Sequence, residues 1–249
     1  MLRRMEQAAL VVSFILIIHL SATMVVAQVP SRTRQILVVT TRDWDAREGS
    51  AQRLEIQGTK FEKIGLPFPV VVGKTGLAWG LGIHPADLVI ADGPVKKEGD
   101  KKSPAGVFDL PSAFGYAAEP PGQTRLPYFR VTNASECVDD SNSRHYNELL
   151  DGSTGTKDWK SSEYMLRPDN LYQWGIFVSH NWRPAKPGAG SCIFLHIWEG
   201  PRQGTVGCTA MQEENILMLL GWLDPRKKPI LVQLPANEYA KLRVKWQLP

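Results

Sequence analysis

Beyond residue 30 the apolar positions come in short runs, not in long amphipathic waves. Residues 34–41 (RQILVVTT), 68–73 (FPVVVG), 106–111 (GVFDLP) and 127–132 (PYFRVT) are rich in β-branched and aromatic side chains. So are 171–180 (LYQWGIFVSH), 191–198 (SCIFLHIW) and 228–235 (KPILVQLP). Gly, Pro, Asn and Asp punctuate them, and runs of this kind predict strands. The period changes once. Residues 212–224 (QEENILMLLGWLD) set Ile216, Leu219, Leu220 and Leu223 at helical spacing, with Pro225 as the stop. Glu213 and Glu214 fall in the first turn, where the helix dipole favours negative charge. The pattern predicts a mainly β domain with one or two short helices. Two polar stretches predict loop insertions. Residues 96–106 (KKEGDKKSPAG) read as a charged, exposed loop, and 151–170 as a long loop of the sort that forms lids or mobile insertions. No internal repeat, low-complexity tract or domain linker is visible.

Alternation along two of these runs bears on chemistry. In 191–198, Cys192, Phe194, His196 and Trp198 share one face. In 171–180, Tyr172, Trp174, Ile176, Val178 and His180 share another. Pairing of the two strands would line one cleft with two histidines and several aromatics.

The first 27 residues stand apart. Arg3 and Arg4 precede a long apolar run, and the segment ends Val-Val-Ala at Ala27. That layout predicts a secretory signal peptide over 1–27, cleaved after Ala27. The run is also long enough for an uncleaved anchor, which would be the only membrane contact expected. A linker over 28–34 and one domain over 35–249 follow, and about 220 residues can bury a single core. Loss of the leader's two arginines and one glutamate lowers the formal net charge from +4 to +3. The charge is spread without a Lys/Arg cluster, so no nucleic-acid partner is expected, whereas an anionic wall polymer is tolerated.

An exported chain with Cys137, Cys192 and Cys208 has too few cysteines for a disulfide scaffold, and an odd number leaves a thiol over. Cys208 follows His196 across the turn 199–207 (EGPRQGTVG). An imidazole beside a thiol can take its proton and make it a nucleophile. Gly204 and Gly207 free the turn to fold back, and backbone amides at Val206 and Gly207 are candidate oxyanion donors. By itself the pair reads equally as a buried or bridged cysteine and a satisfied histidine.

The stretch LHIWEGPRQGTVGC resembles the His…[Ser/Thr]-x-Gly-Cys signature of the L,D-transpeptidase catalytic domain (YkuD-like) family, in its exported branch. His196 matches the upstream histidine, and Thr205, Gly207 and Cys208 match the rest. Residues 73–80, 96–116, 137–147, 178–181 and 188–198 fit as well, so the likeness spans roughly 35–235. It implies a YkuD-like β-sandwich or barrel-type domain and acyl transfer on peptidoglycan stem peptides in the periplasm or cell envelope. Cys208 would attack the third, diamino-acid residue of a tetrapeptide stem, D-alanine would leave, and a second stem's amine would give a 3→3 cross-link. His196 would take the thiol proton and later protonate the leaving amine. Water as acceptor would give L,D-carboxypeptidase or amidase behaviour. No cofactor or metal is implied. Better-known members carry a second histidine where this chain has Val206 and an arginine where it has Ala210, and their His-to-Cys spacing is longer.

Other residues have two readings each. His180, Thr205 and Arg202 are candidates for lining the substrate, Arg202 by gripping a stem carboxylate. Asp139, Asp140, Arg144 and Tyr146 read as an ion-pair cluster, and Trp79 and Trp198 as packing aromatics. Residues 143–151 (SRHYNELLD) are similar to the start of a zinc-peptidase motif, but no Glu-x-x-His follows. A non-catalytic wall-binding module is the remaining alternative.

Overall fold

The computed structural model describes residue 30 and residues 32–84, 93–152 and 156–249. The leader expected over 1–27 lies outside the described residues. Among the described residues, fourteen strands and two α-helices follow in chain order: β1 (Gln35–Thr41), β2 (Glu48–Gln57), β3 (Lys60–Val71), β4 (Leu77–Trp79), β5 (Ser103–Asp109), β6 (Ala113–Gly115), β7 (Tyr128–Arg130), β8 (Glu136–Val138), β9 (Leu149–Leu150), β10 (Ser162–Tyr164), β11 (Trp174–Phe177), β12 (Phe194–Ile197), β13 (Thr209–Met211), α1 (Glu213–Trp222), β14 (Ile230–Pro235) and α2 (Ala236–Lys245). The domain is mainly β, as the pattern of short runs predicts.

Eleven strands form one ladder in the order β4-β5-β14-β1-β2-β3-β13-β12-β11-β6-β7, and β10-β8-β9 make a small second sheet. The large sheet curls. β14 and β13 are four steps apart in the ladder, yet the fully buried Gln233 of β14 accepts a hydrogen bond from Thr209 of β13 at 2.7 Å. Its amide nitrogen donates to Pro104 O of β5 at 2.9 Å. An amide can donate and accept at once, so one side chain satisfies polar groups of three strands where water is absent. The core inside the curl is built from β1 (Ile36, Leu37), β5 (Val107, Phe108), β14 and the helix residues Ile216, Leu219 and Leu220. A second apolar cluster holds Phe114, Tyr172, Phe194 and all three cysteines.

Three readings change. The strand expected over 191–198 shortens to β12, because Cys192 takes a left-handed backbone (φ +54°) and is bridged to Cys137, with Cα atoms 6.0 Å apart. Cys192 therefore does not share a strand face with His196. The strand expected over 171–180 shortens to β11, which leaves both Tyr172 and His180 outside it. The two strands do pair, antiparallel, with Gly175 opposite His196. The loop expected over 96–106 is exposed at 97–99 and 101, as expected, but is anchored at both ends. Lys96 is 5% exposed and its ammonium lies 2.6 Å from Asp100, while Ser103 already begins β5. Trp79 packs in the core edge-on to Trp44 (5.1 Å between centroids).

Candidate active site

β12 carries His196, and β13 runs parallel beside it with Ala210 opposite His196. The turn between them is thus a crossover, not a hairpin. It crosses the end of β3, where Thr205 bridges to Gly73 and Gly204 lies so close to Lys74 that an added Cβ would meet its Cα at 2.9 Å. Parallel register sets Cys208, the residue before β13, beside Phe194, the first residue of β12. The Phe194 amide donates to Cys208 Sγ at 3.3 Å, and the thiol points toward Cys192 O at 3.5 Å.

The Cys208 carbonyl is fixed from two sides. Ser103 donates to it at 2.7 Å and Thr205 at 2.5 Å. The Gly207 amide donates to Thr205 Oγ1 at 3.1 Å. Thr205 therefore braces the turn with its hydroxyl, and Gly207's amide is already engaged. The amides of Val206 and Cys208 are left as oxyanion candidates.

His196 is 6% exposed and Cys208 3%. The Nδ1–H of His196 donates to Ile197 O at 2.7 Å, because a carbonyl can only accept, so Nε2 keeps its lone pair. Burial pushes the imidazole down to about 4. Burial pushes the Cys208 thiol up to about 12, and the Glu163 carboxylate adds to that, while the Phe194 amide and the Tyr172 side chain act in the other direction. At neutral pH both groups are uncharged, and the resting site holds no thiolate–imidazolium pair.

A thiol titrating near 12 is ionised to roughly one part in 10⁴ to 10⁵ at pH 7.5, against about one tenth for an ordinary cysteine. Iodoacetamide alkylation of Cys208 in the folded chain is expected to be about 10³-fold slower than that of free cysteine, and to rise about tenfold per pH unit. A rate near that of free cysteine would mean that the thiol is activated at rest.

Cys208 and His196 line one cavity of about 170 Å³, together with Tyr172, Glu163, Arg167 and Lys74. Tyr172 is 3% exposed and its ring stands edge-on to His196, 4.9 Å between centroids. Its hydroxyl donates to Glu163 Oε1. Arg167 sits over the Tyr172 ring at 5.0 Å, 3.6 Å from Glu163 Oε1, and forks onto Asp169. Tyr172 was expected on a cleft-lining face of 171–180, whereas Glu163, Arg167 and Lys74 were not anticipated as site residues. Glu163 and Arg167 come from the polar stretch 151–170, whose length alone marked it as functional.

The other candidates scatter. Thr205 lines the cavity. Val206 is 61% exposed at its rim, and Arg202 is exposed and outside the lining. His180 lines a separate cavity of about 400 Å³ with Trp182 and Ser179. Both of its ring nitrogens are used: Leu81 N–H donates to Nδ1 at 3.2 Å and Nε2–H donates to Ala189 O at 3.0 Å. Burial holds it down to about 3, so it is a neutral, structural imidazole. The expected polar cluster disperses. Asp140 caps Asn142 and Lys160 amides, Arg144 pairs with Asp158, and Tyr146 donates to Glu98. His145 pairs with Glu148 at 2.8 Å. Among the described residues no group of three or more His, Cys, Asp or Glu side chains is arranged to hold a metal ion, and no helix is long and apolar enough to cross a membrane.

Fold and cavity together define a mainly β domain with a thiol and an imidazole set at the ends of neighbouring parallel strands. The chain belongs to the YkuD family, the L,D-transpeptidase catalytic domain, whose family model matches residues 50–232. No curated protein matches it. Among solved structures it is similar to the helical cell shape determining protein Pgp2 from Campylobacter jejuni, with 15% identity and a TM-score of 0.39. The similarity covers 81% of this chain and 48% of that one, so the chain matches about half the length of that protein.

Proposed function

We propose that this protein is a cysteine-dependent acyltransferase that acts on peptidoglycan stem peptides in the cell envelope, delivered there by the leader over 1–27. One observation carries the reading: in a chain of this family, Cys208 and His196 line the same cavity. Cys208 attacks the carbonyl of the third stem residue, the C–N bond to D-alanine breaks, and a thioacyl-enzyme forms. The amides of Val206 and Cys208 stabilise the oxyanion. His196 acts as general base and acid through Nε2, the nitrogen left free by its bond to Ile197. The amine of a neighbouring stem resolves the thioester into a 3→3 cross-link, and water in its place gives a carboxypeptidase.

Intact-mass measurement of the purified chain with a defined tetrapeptide stem tests this. The expected result is a protein heavier by the acyl tripeptide, with D-alanine released. Adding a second stem should turn the adduct into cross-linked peptide. A chain that keeps its mass and releases no D-alanine would sink the proposal and favour a wall-binding module.

A further inference from the structure

We propose that Ser103 is a positioning residue for this site: from the start of β5 it pins the carbonyl of Cys208, and so holds the thiol and the 208 amide in place at the cavity. The inference rests on Cys208 being the nucleophile.

Little else holds residue 208. Its sulfur has only long contacts, 3.3 Å to the Phe194 amide and 3.5 Å to Cys192 O. Its amide is an oxyanion candidate, and the regular pairing of β13 with β12 begins one residue later, at Thr209. The carbonyl is where the short bonds are, 2.7 Å from Ser103 and 2.5 Å from Thr205. A carbonyl oxygen has two lone pairs, and these two hydroxyls fill both. The two donors are not equivalent. Thr205 belongs to the same crossover as Cys208 and moves with it. Ser103 comes from β5, five steps from β13 in the ladder, across the inside of the curl. It ties the nucleophile to a separate part of the fold.

Ser103 is itself fixed. It is fully buried, and its Oγ accepts the Gly73 amide at 2.9 Å while donating to Cys208 O. The directions are not interchangeable, because an amide can only donate and a carbonyl can only accept. Gly73 makes the approach possible: an added Cβ there would meet Lys101 O at 2.2 Å and Ser103 N at 2.7 Å. One residue further along each chain a second buried link runs the same way, from Thr209 to Gln233 to Pro104 O. Residues 103–104 thus grip residues 208–209 twice. Apolar side chains would join these layers without the desolvation cost of buried polar groups. What a directional hydrogen bond adds is a fixed backbone, and the backbone fixed here is that of the nucleophile. A displacement of about 1 Å at a reacting atom can slow a reaction about 100-fold.

Single-turnover acylation by the tetrapeptide stem, followed by D-alanine release over a range of stem concentrations, tests this on wild type, Ser103→Ala and Ile36→Val. Rates are taken per folded molecule, with the folded fraction read from melting curves. Ser103→Ala is expected to lower the maximal acylation rate roughly 10- to 100-fold while the half-saturating concentration stays within about twofold. The split follows because Ser103 is sealed beneath the nucleophile and touches no substrate. Ile36→Val, a core change on β1 outside the cavity lining, should lower the melting temperature and leave the rate unchanged. If Ser103→Ala is less stable but acylates at the wild-type rate, or if only its half-saturating concentration rises, the positioning role is wrong and the nucleophile stands. If the wild type never acylates, the functional reading itself fails and the positioning role with it. Should Ser103→Ala not fold, Ser103→Cys decides: it keeps the shape of the side chain but is a weak donor, so its acylation should also be slowed, and a wild-type rate would overturn the inference.

Discussion

Cys208→Ala is expected to abolish the acyl adduct and to lower turnover of a tetrapeptide stem by at least about 10⁴-fold, with the fold intact. The size follows from the chemistry. Removing a covalent nucleophile removes the step itself, and what survives comes only from binding and oxyanion contacts. The intact fold follows from the packing. Sγ takes one amide hydrogen bond from Phe194 and makes a long contact to Cys192 O, so its loss costs about 1–2 kcal/mol. The carbonyl of residue 208 keeps Ser103 and Thr205, which are untouched by the change. A melting temperature within a few degrees of wild type, beside a dead enzyme, is the expected pair of results. A chelator should leave the wild type unaffected. Turnover that survives Cys208→Ala but falls with EDTA would move the chemistry to a metal at the His145 segment.

How much of this was readable in the chain differs between the two halves of the site. His196 and Cys208 were legible because they lie close in sequence and the residues between them carry the family's motif. The architecture that joins them was not. Their strands run parallel, and a short crossover over β3 gives no periodicity that distinguishes it from a hairpin turn. Glu163 and Arg167 were hidden for another reason. They sit on a loop and a three-residue strand, and only tertiary packing brings them to the thiol. The same holds for Ser103, whose partner lies 105 residues away.

Strands show a parallel contrast. β1 and β14 are buried along nearly their whole length and stand out as continuous apolar runs. β2 and most of β3 form a hairpin of largely exposed or half-exposed residues, so their backbone pairing left little mark on the hydrophobic pattern. His180 misled through the same rule applied too far. Alternation along 171–180 put it on a shared face, but the chain leaves the sheet after Phe177, and its imidazole is spent on Leu81 and Ala189.

The second large effect is expected at Cys137–Cys192. The bridge closes a loop of 55 residues, and a loop of that length restricts the unfolded chain by about 4 kcal/mol. For a domain of this size, 1 kcal/mol shifts the melting temperature by about 2–4 °C. Reduction, or the double variant Cys137→Ala with Cys192→Ala, should therefore lower it by roughly 10 °C. The consequence reaches the site because the bridge holds the small sheet, through β8, to the residues just before β12. Cys192 sits in a left-handed backbone with its amide donating to Asn147 Oδ1 at 2.8 Å, and its carbonyl faces the Cys208 thiol. Freed from Cys137, that segment loses one of the restraints on the sulfur's polar neighbours. Acylation by the tetrapeptide stem, measured well below the lowered transition, should then fall by more than the loss of folded protein explains. Thiol counting on the denatured chain gives the control: one alkylated cysteine without reductant and three with it. If the melting temperature is unmoved by reductant while three thiols react, the bridge contributes nothing to stability. If it falls but acylation per folded molecule does not, the bridge stabilises the domain without positioning Cys208.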